Sequence, residues 1–124
     1  MQETPTHDIR IIEGEDFQTS LQLLTDGTPD KLAGATFLGQ IRAGFADTDP
    51  VLATFTFTTP VPASGEVFIS LAAVDASGLS ALIDPYSPRR PTGYYDIFVT
   101  PPGGLREYLV GGRVLYQPTI SRSA

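Results

Sequence analysis

The sequence predicts an all-β fold, an antiparallel sandwich of about seven or eight strands with one short helix near 75–84. Three observations predict it. Apolar and polar residues alternate with period two in one short segment after another. Turn-forming clusters separate those segments at regular spacing, as in sandwiches. A single stretch, 75–84, changes to helical spacing. The 12 glycines and 11 prolines among 124 residues fall mainly between the apolar runs, where tight turns need them.

Residues 1–8 are polar, include Pro5, and read as an N-terminal arm; a single sandwich domain is expected over 9–122. Ile9–Glu13 is a short apolar run, closed by the turn Gly14-Glu15-Asp16. Phe17, Thr19, Leu21 and Leu23 then alternate with Gln18, Ser20 and Gln22 as in a half-buried strand. Thr25 to Asp30 is a dense turn cluster. Ala35, Phe37, Gly39 and Ile41 put one face inward, with Thr36, Gln40 and Arg42 outward and Leu38 as the apolar exception on that outer face. Val51, Ala53, Phe55 and Phe57 alternate with threonines, which suit the solvent side of a pleated sheet, and Pro60 and Pro62 end the run.

Gly65–Leu71 follows as a strand with Val67, Ile69 and Leu71 on one face. Asp75 is placed to cap a helix whose Leu79, Leu82 and Ile83 share a side. Tyr95, Ile97 and Val99 alternate with Tyr94, Asp96, Phe98 and Thr100. Pro101-Pro102-Gly103-Gly104 reads as a hairpin loop, and Leu105–Val110 with Arg113–Gln117 as the return strand. Gly111-Gly112 within it signals a bulge or a close backbone approach.

Composition narrows the function classes. With 8 Lys+Arg against 14 Asp+Glu the net charge is −6, which disfavours nucleic acid and anionic lipid as partners. There is no cysteine, so neither a disulfide framework nor a thiolate metal site is available. No stretch approaches the roughly 20 apolar residues of a membrane-spanning helix. Met1 to Pro5 lacks the basic and apolar regions of a cleaved signal peptide, so none is expected.

Chemistry-bearing residues are scarce. His7 has no second imidazole to share a metal with, and reads as a solvated arm residue. Asp26, Asp30, Asp47, Asp49 and Asp84 all fall in loops, where turn formation accounts for them better than calcium binding or glycoside hydrolysis. No residue set offers a nucleophile with a base and an orienter, so no enzyme, metal or cofactor is expected. Phe17, Phe37, Phe55 and Phe57 fit the core. Tyr86, Tyr94, Phe98 and Tyr108 are candidates for a protein interface, where tyrosine is enriched. Arg89-Arg90 is the one basic pair, either an interface anchor or a solvated loop tip.

The order of the pieces carries a resemblance. Gly14-Glu15-Asp16-Phe17 precedes Leu21-Gln22-Leu23-Leu24, then Asp26-Gly27-Thr28-Pro29, then Lys31 to Phe37 running into Gln40-Ile41-Arg42. Gly65-Glu66-Val67 and Gly93-Tyr94-Tyr95-Asp96-Ile97 follow, and Pro118-Thr119-Ile120-Ser121-Arg122 closes the series. This string resembles small bacteriophage tail and baseplate structural proteins, and is similar to the N-terminal domain of phage baseplate upper proteins, over about 9–122. It departs from their pattern at Lys31-Leu32-Ala33-Gly34 and at Ile120-Ser121-Arg122.

The resemblance implies an immunoglobulin-like sandwich acting as a virion adaptor, joining fibres or receptor-binding parts to the tail in several symmetric copies. The expected partners are other virion proteins of the tail, baseplate or fibre, with no nucleic acid, no membrane and no cofactor, and the expected location is the virion. A carbohydrate-binding module for host adhesion and a head decoration protein are the alternatives.

Overall fold

A computed structural model describes residues 7–44, 48–83, 86 and 91–118. Its strands are β1 (Ile9–Ile12), β2 (Phe17–Gln22), β3 (Leu24–Thr25), β4 (Thr28–Pro29), β5 (Thr36–Arg42), β6 (Val51–Thr54), β7 (Thr56–Thr58), β8 (Glu66–Leu71), β9 (Thr92–Thr100) and β10 (Glu107–Gln117). A five-stranded sheet ordered β1-β10-β9-β5-β6 packs over a three-stranded sheet ordered β2-β8-β7, and β3 with β4 forms a small hairpin. Two facing sheets with this strand order, the last two long strands paired centrally and the second and eighth strands opposite them, make an immunoglobulin-like sandwich. All pairs are antiparallel except β1 with β10, which run parallel from Ile9 beside Val114 to Ile12 beside Gln117. That pairing departs from the all-antiparallel expectation. It arises because the turn 13–16 carries the chain to the opposite sheet instead of folding it back beside β1.

The core lies between the sheets. Ile41, Val67, Ile69, Leu71, Ile97 and Val114 are at most 2% exposed, as alternation predicts for the inward side of each strand. The run Val51–Phe57 keeps its alternation from Ala53 onward, while Val51, expected inward, is exposed at the start of the edge strand, and the run is two strands. Val51–Thr54 pairs with β5 in one sheet, and Thr56–Thr58 with β8 in the other. Phe55 is the crossing point: its N–H donates to the Gly39 carbonyl at 2.9 Å, and its buried ring lies 6.2 Å from Phe17 and 6.0 Å from Tyr95. A chain of three rings thereby joins β2 of one sheet to β9 of the other, with no covalent bridge.

Close approach at this crossing explains Gly39. A Cβ there would lie 2.8 Å from the Phe57 ring, 3.0 Å from Phe55 and 3.1 Å from Ile97. The hairpin at Thr25–Thr28 turns on Asp26 and Gly27, both at positive φ (51° and 79°), as a two-residue hairpin turn requires.

The segment expected to be a helix over 75–84 is a 3-10 helix, Ser77–Leu82, entered from Ala76 without a side-chain cap from Asp75. Six residues are long for a 3-10 run, and an α-helix of that length would be marginal as well. The anticipated face holds all the same: Leu79 is fully buried, with Leu82 and Ile83 packed partly against the core. Gly111-Gly112 lies inside the continuous strand β10, and the register irregularity falls earlier, between Tyr108 and Val110. Leu105 stays outside the return strand and is exposed.

Replacing Gly39 with Ala is expected to destabilise the fold by about 1–3 kcal/mol, since the added methyl crowds the Phe57, Phe55 and Ile97 side chains. Urea unfolding of the variant beside the parent chain measures it.

Candidate protein-binding face

The outer side of the five-stranded sheet carries the aromatic residues that the core does not use. Strand register places Leu38, Phe98 and Tyr108 in one row across β5, β9 and β10. The next rows set Gln40 beside Asp96 and Gly111, and Arg42 beside Tyr94 and Arg113. Phe98 and Tyr108 meet edge to face, with centroids 5.6 Å apart, and the Arg106 guanidinium sits 5.0 Å from the Phe98 ring centre. Such an arrangement combines apolar area with a cation held over a π face. Leu38 is 38% exposed, and Phe98 and Tyr108 are half-buried, so the row is in part open to solvent.

Glycine shapes this face. A Cβ on Gly111 would collide with the Tyr108 hydroxyl and lie 2.8 Å from the Tyr95 carbonyl oxygen, so the bare backbone lets the Tyr108 side chain lie across it. Partial burial pushes the Tyr108 phenol up, with Asp96 adding to the effect. Arg42 is held by the Asp49 carbonyl at 2.7 Å, which fixes the basic end of the face.

On the inner side, Tyr95 secures the chain entering β1. Its hydroxyl donates to the His7 carbonyl, the His7 N–H donates to the Gly111 carbonyl at 2.9 Å, and Gly112 leaves room for the His7 backbone. Asp8 completes the clamp. It accepts from the Arg113 backbone N–H at 3.0 Å and from its guanidinium at 2.8 Å, and that side-chain hydrogen bond holds the Asp8 carboxyl below its ordinary range.

The interface candidates named from sequence therefore divide. Tyr94, Phe98 and Tyr108 share the outer face. Tyr86 is 94% exposed in the loop before β9 and stands outside the strand rows. Arg89 and Arg90 lie outside the described residues, as do Asp47 and Asp84. Arg106 was missed, since nothing in its neighbours' spacing marks it. Leu38 did carry a signal, as the one apolar residue on an otherwise polar face. The loop acids Asp26 and Asp30 serve a turn: Asp26 takes the positive-φ position, and Asp30 accepts from the Thr25 hydroxyl at 2.6 Å. Among the described residues no three His, Cys, Asp or Glu side chains gather as a metal site would require.

Fold and face together define a cysteine-free immunoglobulin-like domain with an open aromatic sheet face. No protein-family model matches the chain, and no curated protein does. Among solved structures it is similar to murine CRIg, at 10% identity over 94% of this chain and 95% of that one, with a TM-score of 0.40. The assignment of fold class rests on strand order and pairing.

Tyr95 gives this site a pH signature. Burial, followed by the nearby Tyr108 and Asp8, pushes its phenol up to about 12. An unfolded chain releases that proton near pH 10, while the folded chain keeps it, so stability falls as pH rises from about 10 to about 12. Tyr95→Phe is expected to cost about 1 kcal/mol at pH 8 through the lost hydrogen bond, and to flatten that alkaline decline. Urea unfolding at pH 8 and at stepped alkaline pH measures both.

Proposed function

We propose that this chain is a non-enzymatic structural adaptor of a tailed-phage virion, docking its neighbours through the outer face of the five-stranded sheet. The row Leu38, Phe98 and Tyr108, with Arg106 over the Phe98 ring, is the observation that carries the docking part. Interface cores favour aromatic and arginine side chains, and a few such anchors supply most of the binding energy. The placement in a virion is supported by the ordered sequence resemblance to phage tail and baseplate proteins. The acidic net charge of −6 is consistent with protein neighbours in preference to packaged nucleic acid.

Adaptor function needs little chemistry and much rigidity. The sheet holds Phe98 between β5 and β10 by backbone pairing on both sides, so the anchor is pre-organised before a neighbour arrives. Repetition of the domain around a symmetric assembly would multiply a modest single contact.

The double variant Phe98→Ala and Tyr108→Ala is expected to keep its fold, losing about 1 kcal/mol per site. It should bind assembled tails at least about 30-fold more weakly, as loss of a hot spot implies. Immunogold labelling of purified particles, with and without the variant, reads both placement and docking. Gold at the tail tip or fibre bases, lost in the variant, is the expected result. Gold over the capsid would make this a decoration protein, and none on intact or disrupted particles would overturn the virion reading.

A further inference from the structure

Among the described residues, the four edges of the two facing sheets are not equally defended. β7 is three residues long and is followed by Pro60 and Pro62. β6 is four residues and meets β5 through an irregular register. β1 is also four residues and carries Arg10. Shortness, proline, bulges and charge are the devices by which sheets discourage further pairing. β2, Phe17-Gln18-Thr19-Ser20-Leu21-Gln22, has six residues with no charge, no proline and an unbroken register against β8. It is the long, regular edge, and among the described residues β8 is its sole strand partner.

The direction of its free groups follows from pairing. The Leu23 N–H donates to the Gly65 carbonyl at 2.7 Å, continuing the β2–β8 register. Alternation then turns the backbone groups of Phe17, Thr19 and Leu21 toward β8 and those of Gln18, Ser20 and Gln22 outward. Beside this edge runs a groove of about 470 Å³ whose floor includes Ile9, Phe17, Leu21, Ile69, Ile97 and Leu109. Across the groove, the β1–β10 ladder begins at Val114, preceded by the His7 N–H bond to the Gly111 carbonyl. A recess of about 290 Å³, sharing Leu23 and Leu109, continues beyond it.

We propose that the β2 edge and its groove accept an extended segment of a different polypeptide by strand addition, a second interface distinct from the aromatic face. The outward N–H and C=O groups repeat at strand spacing, so an extended backbone can replace the water on all of them at once, and the apolar floor takes every second side chain of that strand. The ends of the slot specify charge. Glu15 and Asp16 lie in the turn entering β2, while Asp30 and Glu107 border the far recess with Lys31 as the cation there. The occupant is therefore aliphatic at alternate positions and basic at its ends. This chain's own end segments lack that pattern: residues 1–6 contain Met1 as their one large apolar residue, and 119–124 contain Ile120.

Amide hydrogen exchange by NMR on the full chain tests it, with an octapeptide of alternating valine and threonine flanked by lysines. Binding should be saturable and slow exchange at Gln18, Ser20 and Gln22 by at least about tenfold, with Phe98 and Tyr108 undisturbed. Ser20→Pro removes an outward N–H, which an edge tolerates, and should weaken binding about tenfold while the melting temperature holds. Gln18→Pro is the second variant should Ser20→Pro fail to fold. The proposal is overturned by protection of these three amides in the free chain, whether independent of concentration (its own segment) or dependent on it (a second copy). Absence of binding, perturbation centred on Phe98, or unchanged affinity in both proline variants overturns it as well.

Discussion

Everything in this sandwich depends on how one segment leaves the first sheet and joins the second. Phe55 sits between β6 and β7, bonded through its N–H to Gly39 on one side and handing the chain to β8 on the other. Its ring stands between Phe17 and Tyr95, so the crossing and the inter-sheet packing are one structure. A domain without cysteine has no disulfide between its sheets, so apolar contact carries most of that load, and aromatic rings bury the most area per residue for the purpose. Gly39 is the complement of the crossing: the ring occupies the space that any side chain at that position would claim.

From that core the outward features follow by parity. Period-two alternation means that fixing Tyr95 and Ile97 inward fixes Tyr94, Asp96 and Phe98 outward. The binding face is thus the obligatory reverse of the core strands, and its composition is where the sequence had freedom. Polar residues would have satisfied solvent there. Leucine, phenylalanine and tyrosine in one row instead place apolar area where monomer stability gains little from it.

Much of this was legible in the residues. Alternation located the inner faces of β5, β8 and β9 and singled out Leu38, Tyr94, Phe98 and Tyr108. It could not show that Val51–Phe57 divides at Phe55, because a strand that changes sheets keeps the same periodicity while its partners change. It could not show that β1 runs parallel to β10, since pairing depends on where a turn sends the chain. Arg106 was invisible for a related reason. Its place over Phe98 is set by the hairpin between β9 and β10, and not by any local pattern.

The same logic separates the two surfaces proposed for partners. The aromatic face is presented by side chains of central strands, whose backbone groups are already paired, so a partner there contributes shape and apolar contact. The β2 edge presents backbone groups, so a partner there contributes hydrogen bonds whose pattern is independent of its side chains. One surface lies on the outside of the five-stranded sheet and the other at the margin of the three-stranded sheet, and occupation of either leaves the strands of the other in place. A domain built this way could hold two neighbours at a fixed angle set by the sandwich itself. Rigidity between those surfaces is supplied by the Phe17–Phe55–Tyr95 chain, which begins on the edge strand β2 and ends on β9, the strand that carries Phe98.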